Sequence, residues 1–183
     1  MIRKKRDMKQ VIIVTIFILL SGQANHPSTS SIMAYQTHAK KFQPRELKNL
    51  PLPIIRALEA RKCLIPQSGY HAKLENVISG SFRIPGQKDW AVLCSRNEMS
   101  SILIFWNGSA TGITEIVPLK DAENCYRGIS AVGRAYILHH HESYGGPKPP
   151  SIKHQGIDDG FCEKASIVRY LYRGRWLELQ GAD

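Results

Sequence analysis

Short hydrophobic segments alternate with glycine- and asparagine-containing turns from residue 77 to the end of the chain, and this pattern limits the fold more than any other feature. Runs of about four to eight β-branched and aromatic residues bounded by turn signals are typical of strands. Asn107-Gly108 and Arg173-Gly174 are clear turn signals, because glycine accepts the left-handed backbone of a tight hairpin. The predicted strands of a first run are 77–83, 90–95, 101–106 and 113–119. A second run of strands begins at Ile129 and continues through 134–141, 165–172 and 175–179.

The predicted architecture is mainly β, with antiparallel meanders that are blade-like or sandwich-like and one short N-terminal helix. Segment 101–108 resembles 166–174, because each is a hydrophobic strand that ends in a glycine turn, so two four-stranded meanders are one arrangement. The helix is predicted over 54–62. Pro53 fits its first turn, where a missing N–H costs nothing, and Pro66 prevents its continuation.

The N-terminus has the three parts of an export signal. Basic residues between Arg3 and Lys9 precede the apolar run 11–20, and the small residues Gly22 and Ala24 follow it. The apolar run is about ten residues long, whereas a membrane-spanning helix needs about 20. The sequence therefore predicts cleavage after Ala24, no stable membrane anchor after cleavage, and a secreted or periplasmic location.

Three segments follow from this pattern: a signal peptide over 1–24, a disordered polar leader over 25–43 and a single β-rich domain over 44–183. The chain carries 25 Lys and Arg and 15 Asp and Glu, and loss of the signal removes five bases and one acid, so the net charge falls from +10 to +6. The nearest basic and aromatic cluster, 169–176, is predicted as half-buried sheet. A nucleic-acid partner is therefore not expected.

Four cysteines follow the predicted cleavage site, at Cys63, Cys94, Cys125 and Cys162. Exported chains meet oxidising conditions, so an even number of cysteines predicts two disulfides. Three pairings are open. The combination of Cys63–Cys94 with Cys125–Cys162 is favoured because it closes the shorter loops. The wide spacing does not match the close pairs of a structural zinc site.

Segment 80–92 carries the one family resemblance of the chain. Its residues are Gly80, Phe82, Gly86, Asp89 and the hydrophobic strand that begins at Trp90. This pattern resembles a single FG-GAP/VCBS repeat, the unit that builds blades of integrin-type β-propellers. The resemblance covers about one hairpin, and it implies a blade-like local shape rather than a function. One or two blades do not close a propeller, which takes about four to eight.

The same resemblance bears on calcium. In the family, oxygen-bearing side chains at alternating loop positions bind the ion. Those positions hold Ser81, Arg83 and Pro85 here, and only Asp89 keeps a carboxylate. Calcium takes about six to eight oxygen ligands, and an arginine among them repels it. The segment is therefore expected to keep the hairpin without its metal.

A histidine run provides the candidate metal ligands His139, His141, His154 and Asp158. On the strand predicted here, His139 and His141 share a face and His140 points to the other. Two imidazoles and a third ligand from the following loop are suited to zinc or copper. The alternative is a group of exposed or hydrogen-bonded histidines that bind no metal.

Residues 143–161 are predicted to form a long ordered loop, since they contain Gly145-Gly146-Pro147 and Pro149-Pro150. Loops of this length are often functional, although a rigid connector is the alternative. The candidate binding residues of the loop are Tyr144, Lys148 and Asp159.

The leading functional hypothesis is an exported, non-enzymatic domain that binds an extracytoplasmic protein or glycan and needs no cofactor. The chain has no Gly-x-Ser-x-Gly nucleophile motif and no phosphate-binding glycine loop, which disfavours an enzyme without excluding one. The first alternative is a metal-binding protein or metal-dependent hydrolase that uses His139, His141 and His154. The second is a structural component of the cell envelope.

Overall fold

The computed structural model describes residues 40–67, 76–121, 127–161 and 165–183. The predicted signal peptide, and the predicted leader up to residue 39, lie outside these ranges. The helices are α1 (Leu52–Ala60) and α2 (Arg134–Tyr144), and short 3-10 turns lie at Pro44–Glu46 and Trp106–Gly108. The strands are β1 (Lys41–Phe42), β2 (Ile65–Pro66), β3 (Val77–Gly80), β4 (Asp89–Arg96), β5 (Met99–Phe105), β6 (Thr114–Lys120), β7 (Arg127–Val132), β8 (Gly156–Phe161), β9 (Ala165–Tyr172) and β10 (Arg175–Gln180).

Two four-stranded antiparallel sheets form the centre of the fold. Their strand orders are β3-β4-β5-β6 and β7-β8-β9-β10, so each sheet is a meander in which neighbours in sequence are neighbours in space. Two-residue turns close the β4–β5 and β9–β10 hairpins at Asn97-Glu98 and Arg173-Gly174, all with positive φ. The prediction of a mainly β, antiparallel meander fold is confirmed.

The two sheets pack face to face, and one helix covers the outer face of each. Strand residues point alternately to opposite faces. On β4, Ala91 and Leu93 therefore join the apolar cluster between the sheets, whereas Val92 and Cys94 join the cluster under α1. On the far side, Ile137 of α2 packs into a third cluster on the second sheet. The order of layers is therefore helix, sheet, sheet, helix.

Helix α1 confirms the predicted short N-terminal helix. Pro51 precedes its first turn and Pro53 lies within that turn, where proline is tolerated. Ile54 and Leu58, four residues apart, lie on one face and are fully buried against the first sheet. Burial of this face, rather than intrinsic helix propensity, stabilises so short a helix.

The side chain of Asn76 joins the two sheets. Its Oδ1 accepts a hydrogen bond of 2.9 Å from the backbone N–H of Ile129 on β7. Its Nδ2 donates to the carbonyl oxygens of Pro66 and Arg127, at 2.8 Å and 3.3 Å. Asn76 is buried and has a φ of 64°, a backbone region that asparagine tolerates better than most residues. One side chain thus satisfies three backbone groups at the junction of the meanders.

A buried ion pair crosses the same junction. The Nε of Arg127 donates to Asp159 at 2.8 Å, and its Nη1 donates to the carbonyl oxygen of Ser100 in the first sheet at 3.0 Å. Arg169 lies 3.5 Å from the second carboxylate oxygen of Asp159 and also pairs with Glu178. Buried charges are tolerated when they are paired and hydrogen-bonded in this way.

A disulfide joins Cys63, just after α1, to Cys94 on β4. Both residues belong to the apolar cluster under α1, so the bond attaches the helix to its sheet. The predicted Cys63–Cys94 pairing is confirmed. The second predicted bond falls on Cys125 and Cys162, which lie outside the described residues.

The described chain forms structure before the predicted domain boundary at residue 44. Lys41 and Phe42 of β1 pair with Ile65 and Pro66 of β2. Neither helix within the described residues is long and apolar enough to cross a membrane.

Two predicted elements differ from the structure. The segment 134–141, predicted as a strand, belongs to α2, which ends at Gly145 and Gly146 with φ values of 79° and 84°. The predicted loop 143–161 is shorter, because its last residues form β8 between β7 and β9. The chain thus has a second helix over 134–144, and β8 takes the place of the strand predicted at 134–141 in the second sheet.

Candidate functional site

The histidine run lies on α2, and this changes which histidines share a face. Residues of an α-helix follow one another at about 100°, so His139 and His141 point about 200° apart. His139 is exposed, while the Nδ1 of His141 lies 3.0 Å from the carbonyl oxygen of Gly145 at the end of the helix. The prediction that His139 and His141 share a strand face is therefore wrong.

His154 lies in a different environment from the helical histidines. Its Nδ1 is 2.9 Å from the carbonyl oxygen of Gln155, and its Nε2 is 2.9 Å from that of Leu171. The ring stacks on Tyr170 with centroids 4.3 Å apart. Both nitrogens thus face backbone oxygens, and a metal would have to displace one of these contacts. Among the residues that the structure describes, no three His, Cys, Asp or Glu side chains are grouped to hold a metal ion.

The three predicted binding residues of the loop divide between surface and core. Tyr144 is 50% exposed at the end of α2, and Lys148 is also exposed. Asp159 is fully buried on β8 between two arginines, Arg127 and Arg169. The prediction that Asp159 contributes to a binding loop is therefore wrong, because its carboxylate is needed to neutralise the interior of the second sheet.

A groove of about 390 Å³ opens where loops of the two sheets meet. Arg83 comes from the β3–β4 loop of the first sheet, and Lys153 and His154 come from the loop that leads from α2 to β8. The β9–β10 hairpin closes the other side with Tyr172 and Arg173. We call this the cationic groove, because the described residues that line it include two arginines and one lysine and no residue with a carboxylate.

Hydrogen bonds between backbone and side chains hold the three segments of the groove together. The backbone N–H of Gln155 donates to Ser81 O at 2.8 Å, and the Gln155 side chain accepts from the Ser81 N–H at 3.0 Å. Across the groove, the Tyr170 hydroxyl accepts from the Lys153 N–H at 3.0 Å. His154 bridges to the Leu171 carbonyl on the same strand. The groove is therefore built on fixed backbone rather than on a free loop.

Aromatic rings position the cations of the groove. The guanidinium of Arg83 lies 4.7 Å from the ring centroid of Trp106, which stacks on Trp176 across the sheets at 6.3 Å. The guanidinium of Arg173 lies 5.2 Å from the centroid of Tyr172. Contacts of this kind attract a cation electrostatically and restrict a long side chain. Two of the three cations are thus oriented before any ligand arrives.

A second polar cluster, the Asp158 cluster, lies under α2 and comprises Tyr136, His140, Asp158 and Ser166. The Tyr136 hydroxyl donates to Asp158 at 3.1 Å, and the Tyr136 and His140 rings lie 4.1 Å apart. Burial raises the pKa of Asp158, while the hydroxyls of Ser166 and Tyr136 oppose the rise. Burial also raises the pKa of Tyr136. The cluster attaches α2 to the second sheet and opens into no groove that we identify in the described residues.

The β3–β4 loop is organised by Asp89, which is fully buried. Its carboxylate accepts hydrogen bonds from the backbone N–H of Phe82 at 2.9 Å, from that of Asn107 at 2.8 Å and from the Gln87 side chain. The one carboxylate that matches the calcium-binding pattern is therefore engaged by the protein. The expected lack of a calcium site stays a prediction, and these contacts give it a further physical reason.

Comparison with known proteins adds no relative from which a function can be transferred. No protein-family model, curated protein or solved structure matches the chain. The resemblance of 80–92 to an FG-GAP/VCBS repeat accordingly stays a prediction. The cationic groove is the best structural basis for a function. The sequence pattern indicated only one part of it, because Lys153 and His154 lie in the predicted loop 143–161.

Proposed function

We propose that this chain is an exported, non-enzymatic binding domain whose ligand occupies the cationic groove. The observation that carries the proposal is the convergence of Arg83, Lys153 and Arg173 from three separate segments on one groove with aromatic walls. Concave sites with aromatic lining and a few placed polar groups are typical of ligand binding. The α2–β8 loop, where the sequence pattern predicted binding, supplies one side of this site.

Export is supported by the basic, apolar and small-residue parts of the N-terminus. The Cys63–Cys94 disulfide is consistent with it, because disulfides persist in oxidising compartments. The mature protein should begin at Asn25. Intact-mass analysis of protein recovered from the extracytoplasmic fraction checks this, and retention of Met1 would contradict it.

No observation favours the metal-dependent alternative. His139 and His141 point to different sides of α2, and both nitrogens of His154 face carbonyl oxygens. His139 is better explained as a surface residue of α2, and His154 as a residue that supports the wall of the groove. Assay for bound zinc or copper in untagged protein tests this, and about one equivalent of metal lost in His139→Ala but kept in His140→Ala would restore the alternative.

A steric block tests whether the groove is the binding site. Ser151 is an exposed residue of the groove, and Ser143 is an exposed residue of α2 outside it. We expect Ser151→Trp to abolish capture of extracytoplasmic material by the immobilised domain, and Ser143→Trp to leave it unchanged. Equal capture by both variants would exclude the groove, and no capture by the wild type would favour a structural envelope role.

A further inference from the structure

We infer that the cationic groove binds an acidic saccharide, with carboxylate or sulfate groups held by Arg83, Lys153 and Arg173 and a sugar ring against Tyr172. The inference rests on the proposed function and names the ligand class of the same site.

The sign of the charge selects an anion. Arg83, Lys153 and Arg173 carry cationic side chains, and none of the described residues that line the groove has a carboxylate to neutralise them. The carboxylate of Asp159 in the second sheet does not compensate for them, because it is fully buried and already paired with Arg127 and Arg169. A groove lined by one sign of charge concentrates ligands of the opposite sign.

Two of the three cations have restricted side chains and the third has a fixed backbone, which lowers the entropic cost of binding. Arg83 lies over Trp106, Arg173 lies over Tyr172, and the backbone at Lys153 is fixed by the Tyr170 hydroxyl. Long side chains that are already restricted lose less freedom when a ligand binds. Guanidinium groups also match the geometry of carboxylate and sulfate, since they donate two parallel hydrogen bonds.

Arg173 has a backbone conformation that indicates a role for its side chain. It occupies the first position of a two-residue turn with a φ of 49°, followed by Gly174 with a φ of 76°. Asparagine, aspartate and glycine favour this position, and arginine does not. The unfavourable backbone conformation of an arginine at the rim of the groove is explained if its guanidinium contacts the ligand.

The aromatic wall favours a saccharide over an acidic peptide. Tyr172 is only half-buried, and the ring of His154, which stacks on the buried Tyr170, lies beside it in the same lining. The C–H face of a sugar ring packs on a flat aromatic surface, and uronic or sulfated sugars add the anionic group. A peptide would instead be expected to add to an exposed sheet edge through its backbone.

Calorimetric titration of the mature protein tests the inference with four probes of matched length: a galacturonic acid oligosaccharide, a sulfated glucan oligosaccharide, a neutral glucan oligosaccharide and an oligoglutamate peptide. We expect at least one acidic saccharide to bind about tenfold more tightly than the neutral sugar and the peptide, and to weaken as salt is added. The acidic saccharide that the wild type binds more tightly shows whether the groove prefers a carboxylate or a sulfate group.

Variants assign the binding to the groove. Lys153→Ala and Arg173→Asn should each weaken the preferred saccharide about tenfold, as expected for loss of a hydrogen bond to a charged group. Arg175→Ala removes the same charge from an exposed position on the same hairpin outside the groove, and should change affinity less than about twofold. A cooperative melting transition no lower than that of the wild type by more than a few degrees establishes that each variant is folded.

Each other outcome overturns the inference. Equal binding of the neutral sugar would remove the role of charge, and equal binding of oligoglutamate would indicate an acidic protein partner. A loss with Arg175→Ala as large as that with Arg173→Asn would indicate diffuse attraction. If no probe binds at millimolar concentration while Ser151→Trp still abolishes capture, the saccharide inference fails and the binding-domain proposal stands. If the block has no effect either, both fail.

Discussion

Arg173 is a residue whose backbone conformation costs folding stability while its side chain serves the proposed binding site. Its φ of 49° is unfavourable for a long side chain and favourable for asparagine, and Gly174 already suits the second turn position. We therefore expect Arg173→Asn to raise the free energy of unfolding by about 0.5 to 1 kcal/mol, measured by chemical denaturation. A decrease would mean that the contact of Arg173 with Tyr172 stabilises the hairpin more than the turn conformation costs.

Asp158 gives the second prediction at this scale, and it concerns pH. Because burial raises its pKa, the folded protein holds the proton more tightly than the unfolded chain. This contribution is fully present below the ordinary aspartate pKa and is lost as the pH rises through the raised value. The Asp158→Asn variant lacks the titrating carboxyl and therefore lacks this pH-dependent contribution to stability. The unfolding free energy of the variant relative to wild type should therefore increase as the pH rises above the ordinary aspartate pKa of about 4.

Neighbouring groups affect this titration, so a matched variant is needed. Tyr136 and Ser166 approach the carboxyl with their hydroxyls, and His140 and Asp159 act on it through their charges. Tyr136→Phe removes one hydrogen bond while retaining the ring, and should cost about 1 kcal/mol at neutral pH. If Asp158→Asn is as destabilising as Tyr136→Phe at pH 7 and shows no pH dependence, burial does not dominate at this site.

At the scale of elements, two glycines in adjacent strands of one sheet differ in the space around them. A Cβ at Gly156 on β8 would lie 2.7 Å from Cγ1 of Val168 and 3.3 Å from the carbonyl oxygen of Arg169. At Gly128 on β7 the nearest atom is the Asn76 side-chain oxygen, at 4.0 Å. We expect Gly156→Ala to destabilise by about 1–3 kcal/mol, since backbone cannot move aside freely.

Gly128→Ala is the matched control for that prediction. The same change in chemistry meets open space, so it should be neutral or slightly stabilising through the reduced freedom of the unfolded chain. Thermal denaturation of both variants is sufficient. Equal losses would show that the sheet tolerates no side chain at either strand, whatever the local clearance.

Strands with strong hydrophobic runs were predictable, and the elements without such runs were not. β9 was predicted at its observed bounds of 165–172, and β4 and β5 within two residues. β8 contains two aspartates and two glycines, which are depleted in strands. It forms because β7 and β9 pair with both of its edges and because Asp159 finds arginine partners in the interior. Tertiary contacts thus override local preference there.

Helix α2 was missed because its apolar pattern is ambiguous. Ala135 to Leu138 is an uninterrupted apolar run, which a strand and a helix accommodate equally. On the helix, only Ile137 is fully buried, beside Tyr136 and His140. The available signal was the glycine pair and proline at 145–147, which end a helix. The strand predicted over 134–141 also placed His139 and His141 on one face, and the metal hypothesis depended on that placement.

The groove was predictable only where it coincides with a long loop. Lys153 and His154 belong to the segment that was expected to bind a partner. Arg83 and Arg173 are separated from them in sequence and meet them only because the two sheets pack face to face. A pattern read along the chain cannot place residues from both meanders beside one another. The arginine in the turn was the one local signal, because glycine or asparagine was expected there.

At the scale of the whole molecule, the disulfide connects the segment after α1 to strand β4 of the first sheet. It closes a loop between two cysteines that are 31 positions apart in the sequence. On the chain-entropy account, loss of such a loop lowers the free energy of unfolding by about 3–4 kcal/mol. We expect a decrease of this size in the Cys63→Ala, Cys94→Ala double variant, measured by denaturation. A decrease below about 1 kcal/mol would mean that other constraints already restrict the unfolded chain.

The contact of Asn76 with β7 has a consequence for how opening of the molecule can be followed. Within each meander, backbone amides are protected by strands of the same sheet, so their exchange with solvent deuterium reports on that sheet alone. The amide of Ile129 instead donates to a side chain that belongs to the other meander. If the two sheets separate while each stays paired, this proton exchanges early and its neighbours in the ladder do not. A single amide can therefore distinguish separation of the layers from melting of either one.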